Sequence, residues 1–300
     1  MEREVKFLHK FLRAVGFSEY TEKKQIQQLI REIILHADER SYTTRNDNSL
    51  YAEFARNFAD EIGVAVCGEF DEEDNYSFDY YYPYLQSRIV STSEDISIER
   101  HAALESYAGI CEDPKVGVSL IFYLQNRIAY LKHRNEGRLP VKGTSLNLSA
   151  LSCDGTIMMP IQKTEWQKKK IQKDTVTRNR LIQAARGGDE EAIESLTLED
   201  MDTYTTISRR IQKMDVFSLV DTYFMPYGVE CDQYSILGEI QECSSVKNSL
   251  TGEEVSIMQV CCNDLTLQVC INRKDLLGEP AAGRRFKGSI WLQGYINYPN

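Results

Sequence analysis

The sequence predicts an α+β fold with three parts: N-terminal helices with an antiparallel sheet, a charged helical connector, and a small antiparallel C-terminal β-barrel. Three patterns lead to this prediction. Apolar residues recur at helical spacing near the start, runs of opposite charge adjoin in the middle, and alternating apolar residues fill the last third. We place the parts at residues 1–160, 161–214 and 215–300. A chain of 300 residues, 42% of them hydrophobic, can bury a sizeable core.

Two amphipathic helices are predicted at the start of the first part. Residues 7–15 repeat apolar side chains at helical spacing and are followed by Gly16, a natural helix stop. Residues 26–34 carry a second stripe of the same kind. From about residue 49 the segments become rich in aromatic and β-branched residues separated by turns, which predicts an antiparallel meander.

Three segments of the first part have less regular patterns. Residues 69–79 hold six acidic residues and no base, which is typical of an exposed hairpin loop. The apolar segment 115–133 fits a buried strand, a helix, or a strand that runs into a helix, and we favour a helix from about Leu120. Residues 143–161 predict two strands joined by a turn at Asp154-Gly155.

The connector contains the sharpest charge contrast in the sequence. Residues 161–186 hold eight basic and two acidic residues, and residues 187–202 hold seven acidic residues and no base. Helix starts are predicted at Asp189 and Thr197. We expect residues 163–213 to be mainly helical, with an exposed basic half that is partly neutralised by acidic residues at 189–202 or at 69–79. Surface ion pairs are weak, so their expected role is to orient the two domains.

Five short strands are predicted after Asp215. Each is an apolar or alternating run, and the turns between them contain Gly, Pro, Asn or Asp. The alternation is strictest over residues 265–271. Five such strands around one core close most economically as a small barrel, and we predict one that is OB-like.

Composition and charge narrow the classes of function. The 45 acidic and 35 basic residues give a formal net charge of −10, which opposes indiscriminate binding to nucleic acid or anionic lipid. None of the eight cysteines forms a C-x-x-C pair, so no metal site is predicted. No apolar run approaches the ~20 residues of a membrane span, so no membrane association is expected. The first residues lack the features of a signal peptide, so we expect a cytoplasmic protein with reduced thiols.

Four phrases of the sequence together resemble one bacterial family. They are ESYAGICEDPKVGVSLIFYLQN, GDEEAIESLTLEDMDTY, MPYGVECDQYSILGEI and GRRFKGSIWLQGYI. Over nearly its whole length the chain is similar to domain-of-unknown-function family 3881, an uncharacterised family of anaerobic Firmicutes. The resemblance implies no activity, ligand or catalytic residue for this chain.

The best catalytic candidates lie within one short segment. Neither a P-loop nor a G-x-G-x-x-G dinucleotide motif occurs, so no cofactor is predicted. Glu99, His101 and Cys111 supply a carboxylate, an imidazole and a thiol that could form the nucleophile and base of a hydrolase. The alternative is a salt-bridged surface turn beside a buried thiol, and we favour a protein without enzymatic activity.

A run of tyrosines gives a second candidate site. Tyr80, Tyr82 and Tyr84 alternate along one predicted strand, so they share a face and could line an aromatic groove. The simpler interpretation is a half-buried sheet face, with Pro83 marking an edge strand or the end of a strand.

The last predicted strand, residues 283–298, carries the candidate binding residues. Apolar side chains alternate there with Lys287, Trp291 and Tyr295, and Arg285 lies nearby. Three interpretations of this polar face remain open: packing beneath another part of the chain, contact with a protein partner, or stacking of single-stranded nucleic acid. We favour packing, with Trp291 largely covered by the connector and Tyr295 more exposed beside Lys287.

The preferred functional hypothesis is a non-enzymatic cytoplasmic binding or regulatory protein whose C-terminal barrel presents an interaction surface. Its partner would then be another protein. The alternatives are single-stranded nucleic-acid binding through the barrel face and the basic connector, and hydrolysis through His101 and Cys111.

Overall fold

The computed structural model describes residues 8–46, 49–100, 106–113, 116, 118–161, 165–211 and 220–299. The helices in this part of the chain are a 3-10 helix (Lys10–Val15), α1 (Lys23–Leu35), α2 (Arg127–Asn135), α3 (Glu165–Arg186), α4 (Glu190–Ile211) and a 3-10 turn (Arg273–Asp275). The strands are β1 (Glu39–Asn46), β2 (Ser49–Ala59), β3 (Ile62–Phe70), β4 (Tyr76–Leu85), β5 (Ile96–Arg100), β6 (Tyr107–Cys111), β7 (Leu120–Leu124), β8 (Ser145–Met158), β9 (Tyr223–Pro226), β10 (Gln233–Lys247), β11 (Glu254–Cys262), β12 (Leu265–Asn272), β13 (Leu276–Leu277) and β14 (Arg285–Asn297). The predicted α+β class with antiparallel sheets is confirmed.

The N-terminal residues form a helical layer on a four-stranded sheet. Strands β1 to β4 pair antiparallel in chain order, which confirms the predicted meander. A capping box of Glu22 and Gln25 starts α1. The 3-10 helix ends at Gly16, whose φ of 91° is left-handed and suits glycine. Both helices bury their apolar side chains in one cluster with this sheet.

The acidic segment predicted as an exposed hairpin loop over residues 69–79 forms such a loop only over residues 71–75, and its ends belong to β3 and β4. Residues 71–75 are exposed. The Asp71 carboxylate accepts backbone hydrogen bonds from Glu73 and Asn75, both at 2.9 Å. These bonds shape the turn, because an Asp side chain readily accepts from amides a few residues further on.

The second sheet contains ten strands, five of which pair in a cycle. The pairs are β8 with β12, β12 with β11, β11 with β10, β10 with β14, and β14 with β8. Within this cycle the β8–β12 pair is parallel and the others are antiparallel. Strands β7, β6 and β5 continue the sheet from β14, while β13 pairs with β8 and β9 with β10.

Two local predictions in this sheet are wrong. β8 is one strand of 14 residues, not two strands with a turn at Asp154-Gly155. Glycine is needed at position 155 because a Cβ there would come within 2.6 Å of the Phe286 ring. The segment after Leu120 is first β7 and only then α2, because its residues alternate between buried and half-buried on an inner strand.

The pairing of β8 with β14 crosses the predicted boundary at residue 160. Its register runs from Ser145 opposite Asn297 to Met158 opposite Arg285. The division at 160 and 214 stays a prediction about independent folding units. Of the strand predicted at residues 216–224, residues 216–219 lie outside the described part, and β9 covers only its end.

Buried apolar side chains form two clusters. One includes Ile236, Leu267 and Leu292 and belongs to the second sheet. The other joins the N-terminal helices and the four-stranded sheet to Leu151 and Trp291 of the second sheet. The N-terminal layer is therefore packed directly against the second sheet.

The connector is helical over residues 165–211, as expected. The turn between α3 and α4 contains Gly188 with a φ of 88°, and the Asp189 carboxylate caps α4 by accepting from the amides of Glu191 and Ala192 at 3.0 and 3.2 Å. Arg178 and Glu199 form an ion pair of 3.4 Å between the helices. The helix start predicted at Thr197 is wrong, since α4 continues through it and its hydroxyl donates to the Ile193 carbonyl. Among the described helices, none has a stretch apolar enough to cross a membrane.

Candidate functional site

The structure does not bring the described members of the catalytic segment together. His101 lies outside the described residues. Glu99 is exposed on β5, and Cys111 is buried on β6 opposite Ile96. Because Glu99 is three positions from Ile96 along the strand, it faces the other side of the sheet from Cys111. Burial raises the pKa of the Cys111 thiol to about 12, and the Asp113 carboxylate adds to this shift, so the thiol is protonated and a poor nucleophile.

Trp291 is covered by the chain itself, and its described neighbours do not come from the connector that was predicted to cover it. Its side chain is only 6% exposed. Its ring is stacked on Phe11 with centroids 5.4 Å apart and touches His9 and Tyr123 at 4.8 and 5.2 Å. Its indole N–H donates to the Asp232 carboxylate at 2.7 Å. The cover therefore comes from the N-terminal 3-10 helix and β7, because the whole N-terminal layer is packed on this face.

The other three predicted binding residues lie in different surroundings. Arg285 is buried, and its guanidinium donates to the carbonyl oxygens of Met159 and Val220 at 3.0 and 2.9 Å. Lys287 lines a cavity with Ser289. Tyr295 is half-buried and lines a different cavity. The four side chains therefore do not form one continuous binding surface.

The cavity lined by Tyr295 lies where the four-stranded sheet, α2 and β14 meet. Its volume is about 200 Å³. We call it the cleft pocket. Its polar and aromatic lining comprises the carboxylates of Asp38, Glu39 and Glu53, the rings of Tyr82, Tyr84 and Tyr295, the amides of Asn57, Gln86, Gln125 and Asn126, the hydroxyl of Ser41, and the ammonium group of Lys132. Ala55 and Ala65 complete the wall on the four-stranded sheet.

Two buried glutamines form a polar junction beside the pocket. The Gln125 amide nitrogen donates to Gln293 Oε1 at 2.8 Å and to the Leu85 carbonyl at 3.0 Å. Gln293 in turn donates to the Pro83 carbonyl at 2.8 Å. These bonds connect β4, the residue that directly follows β7, and β14. They therefore fix the relative positions of the two sheets at the pocket.

A buried arginine holds the inner carboxylate of the pocket. Arg127 is 2% exposed, lies 3.8 Å from Glu53, and donates to the hydroxyls of Tyr51 and Tyr80. The Arg127 guanidinium also lies over the Tyr51 ring at 4.0 Å. Breaking such a pair leaves an uncompensated buried charge, which typically costs 3–5 kcal/mol. The cluster therefore fixes the position of Glu53.

Burial and neighbouring carboxylates raise the pKa of three groups in the cleft pocket. Burial raises the pKa of Glu53, and this shift is partly opposed by Arg127. The pKa of Tyr84 is raised by burial and then by the carboxylates of Glu53, Glu39 and Asp38. The pKa of Tyr295 is raised in the same way, by burial and then by Glu39. The acidic side chains act on the tyrosines from both the rim and the interior of the pocket.

The sequence pointed to only part of this pocket. Tyr82 and Tyr84 belong to the tyrosine run, and Pro83 lies on an edge strand as predicted. The contributions of Glu53, Asp38 and Lys132 were missed. One signal was present: Arg127 interrupts the apolar segment LIFYLQNRIAYL, and a charge in such a run requires a buried partner.

The chain resembles known proteins at the level of a family profile. No curated protein and no solved structure matches it significantly. The profile described as "Domain of unknown function, E. rectale Gene description (DUF3881)" matches residues 12–294, which is nearly the whole chain. The protein therefore belongs to the DUF3881 family.

Proposed function

We propose that this protein is a non-enzymatic cytoplasmic binding protein and that the cleft pocket is its ligand site. One observation carries the proposal: residues 38–57, 82–86, 125–132 and Tyr295 are far apart in sequence and converge on one cavity. Its lining combines three aromatic rings with polar groups that converge from several segments, and convergent polar groups are a feature of small-molecule sites. A volume of about 200 Å³ is below the 300–1,000 Å³ of drug-sized sites, so the ligand is small.

The groups in the pocket are arranged for binding rather than for turnover. Glu53 is paired with Arg127, and the Asp38 carboxylate accepts the backbone N–H of Asn57 at 2.7 Å. Burial raises the pKa of the neighbouring Cys67 thiol to about 12, and Glu53 adds to this shift. A carboxylate held in this way can position a ligand, and a thiol that stays protonated near neutral pH is a poor nucleophile.

We further propose that the cycle of five strands is an OB-like barrel that serves as the scaffold of the site. Strands β10, β11 and β12 would be its antiparallel meander, β14 would pair with the first of them, and β8 would close the cycle. The single parallel pair, β12 with β8, is in the position where an OB-type order requires one. In this proposal the barrel presents Tyr295 to the pocket, and its Trp291 face binds the N-terminal layer rather than an outside partner.

A small-molecule screen on a matched pair of variants tests the proposed site. The library contains amino acids, amines, organic acids and nucleosides, and binding is measured as a saturable rise in melting temperature. Ala55→Leu fills the pocket, whereas Ala282→Leu places the same side chain on an exposed loop. We expect at least one compound to stabilise the wild type and Ala282→Leu but not Ala55→Leu. Hits that stabilise all three proteins equally would place the ligand elsewhere and refute the proposal.

A further inference from the structure

Several hydrogen-bond donors of the cleft pocket already have acceptors within the protein. The Tyr84 hydroxyl donates to Asn57 Oδ1 at 2.6 Å, and the Tyr82 hydroxyl donates to the Gln125 carbonyl at 3.1 Å. The amide nitrogen of Gln125 is used by the junction beside the pocket, and that of Asn126 donates to the Ile296 carbonyl at 2.8 Å. These donors are satisfied by the protein and cannot also serve a ligand at full strength.

The charges of the lining are also unbalanced. Three carboxylates and one ammonium group line the pocket. Arg127 compensates Glu53 from behind, so the rim residues Asp38 and Glu39 are left opposite Lys132. Asp38 is held by its bond from the Asn57 amide, which keeps one carboxylate oriented at the rim. An incoming ligand therefore meets a net negative site.

The aromatic part of the lining also favours a positively charged ligand. Tyr82 and Tyr84 lie with ring centroids 6.3 Å apart, and Tyr295 lines the pocket from β14. Aromatic faces carry negative potential and attract cations within about 6 Å of the ring centroid. The pKa of both Tyr84 and Tyr295 is raised first by burial and then by neighbouring carboxylates, the direction expected for phenols beside negative charges.

We infer that the ligand of the cleft pocket is a small organic cation with at least one ammonium group, of about the size of a diamine or amino acid. This inference rests on the proposed function, because it names the ligand class of the same pocket. An ammonium group offers three donors and a positive charge, so it can bond the surplus carboxylates while its carbon chain contacts the tyrosine rings. A neutral or anionic ligand of the same size would leave the rim carboxylates uncompensated.

Three probes of equal chain length separate charge from size. They are putrescine, 1,4-butanediol and succinate, which are cationic, neutral and anionic four-carbon compounds. Calorimetric titration into the full chain should give saturable binding of putrescine at least about tenfold tighter than that of the other two. Raising the salt from 50 to 500 mM should weaken putrescine binding severalfold, because the rim charges are partly exposed.

Two charge variants test whether putrescine binding depends on the rim carboxylates. Glu39→Gln removes one exposed rim carboxylate and should weaken putrescine binding about three- to fivefold. Glu72→Gln makes the same change on the exposed loop before β4 and should leave the affinity unchanged. Neither side chain is buried, so both proteins should fold normally and the comparison stays valid if Ala55→Leu is unstable.

The possible failures distinguish this inference from the proposed function. If butanediol or succinate binds as tightly as putrescine and Ala55→Leu abolishes that binding, the proposed ligand site is supported. The inference that its ligand is a cation is then wrong. If putrescine binds equally well to wild type, Glu39→Gln and Ala55→Leu, it binds another acidic surface and the inference is overturned. If none of the three probes binds, the inference is also overturned, and the library screen alone decides whether the pocket binds anything.

Discussion

Trp291 is a residue at which the N-terminal layer and the second sheet are in direct contact. It was predicted to be covered, because a large apolar ring on a strand loses burial energy when it faces water. The element that covers it was not predictable, since His9, Phe11 and Tyr123 are far from it in sequence and local periodicity carries no information on distant partners.

Trp291→Ala should destabilise the protein by about 3–5 kcal/mol, because the change leaves a cavity among packed rings. The matched control is Trp166→Ala on α3, where the side chain is 70% exposed and the expected loss is below about 0.5 kcal/mol. Urea unfolding of both variants measures the difference. Equal stability losses for the two tryptophans would contradict the packing described for Trp291.

His9 should make the stability of this contact depend on pH. Burial, with a smaller effect of the Lys10 charge, lowers the pKa of His9 to about 4, against 6.5 in the unfolded chain. The unfolded state therefore binds more protons between these values, so stability is fully present above pH 6.5 and is lost as the pH falls towards 4.

The test compares wild type with His9→Gln in urea at pH 7.5 and pH 5. Over this interval the wild type should lose about 1–2 kcal/mol more than the variant, which lacks the titrating ring. Other acid-sensitive groups are common to both proteins and cancel in the difference. Parallel pH profiles would mean that the pKa of His9 is the same in the folded and the unfolded protein, and would contradict this prediction.

Among the elements, β8 shows why a strand pattern can be misread. Asp154-Gly155 has the composition of a hairpin turn, and the sequence on either side alternates as two short strands would. In the structure the glycine instead makes room for the Phe286 ring of β14. A turn and a close strand approach both favour glycine, and only the position of the partner strand distinguishes them.

Gly155→Ala should therefore cost about 1–3 kcal/mol, because its Cβ would also meet the Ile271 side chain at 2.9 Å. Gly187→Ala is the control. The atom nearest to its Cβ would be the Ala184 carbonyl oxygen in the last turn of α3, at 3.2 Å. The double variant Gly155→Ala/Phe286→Leu should lose less stability than the sum of the losses of the two single variants. Simple additivity of the two changes would show that the ring is not the obstacle.

At the scale of the whole molecule, the sequence predicted the classes of element better than their arrangement. The N-terminal stripes, the meander, the connector helices and strands β10 to β12 and β14 follow from local patterns. The pairing of β8 with β14, the Arg127–Glu53 pair and the cleft pocket join segments that are distant in the chain. Such contacts depend on register and packing, which local periodicity does not specify.

The division of the chain can be tested with fragments. A fragment of residues 215–300 lacks β8, so β14 would lose a ladder that runs from Arg285 to Asn297. We expect this fragment to show no cooperative urea transition, whereas the full chain unfolds cooperatively. A sharp transition of the isolated fragment, followed by circular dichroism, would instead support an independent C-terminal domain.

The central position of β14 also has a consequence for how the protein is made. β14 pairs with β10, β7 and β8, and the ribosome synthesises it after every other strand described here. Until it emerges, each of those three strands has an open edge during translation. Open strand edges on a nascent chain are sites of aggregation, so the need for chaperone protection should last until β14 inserts.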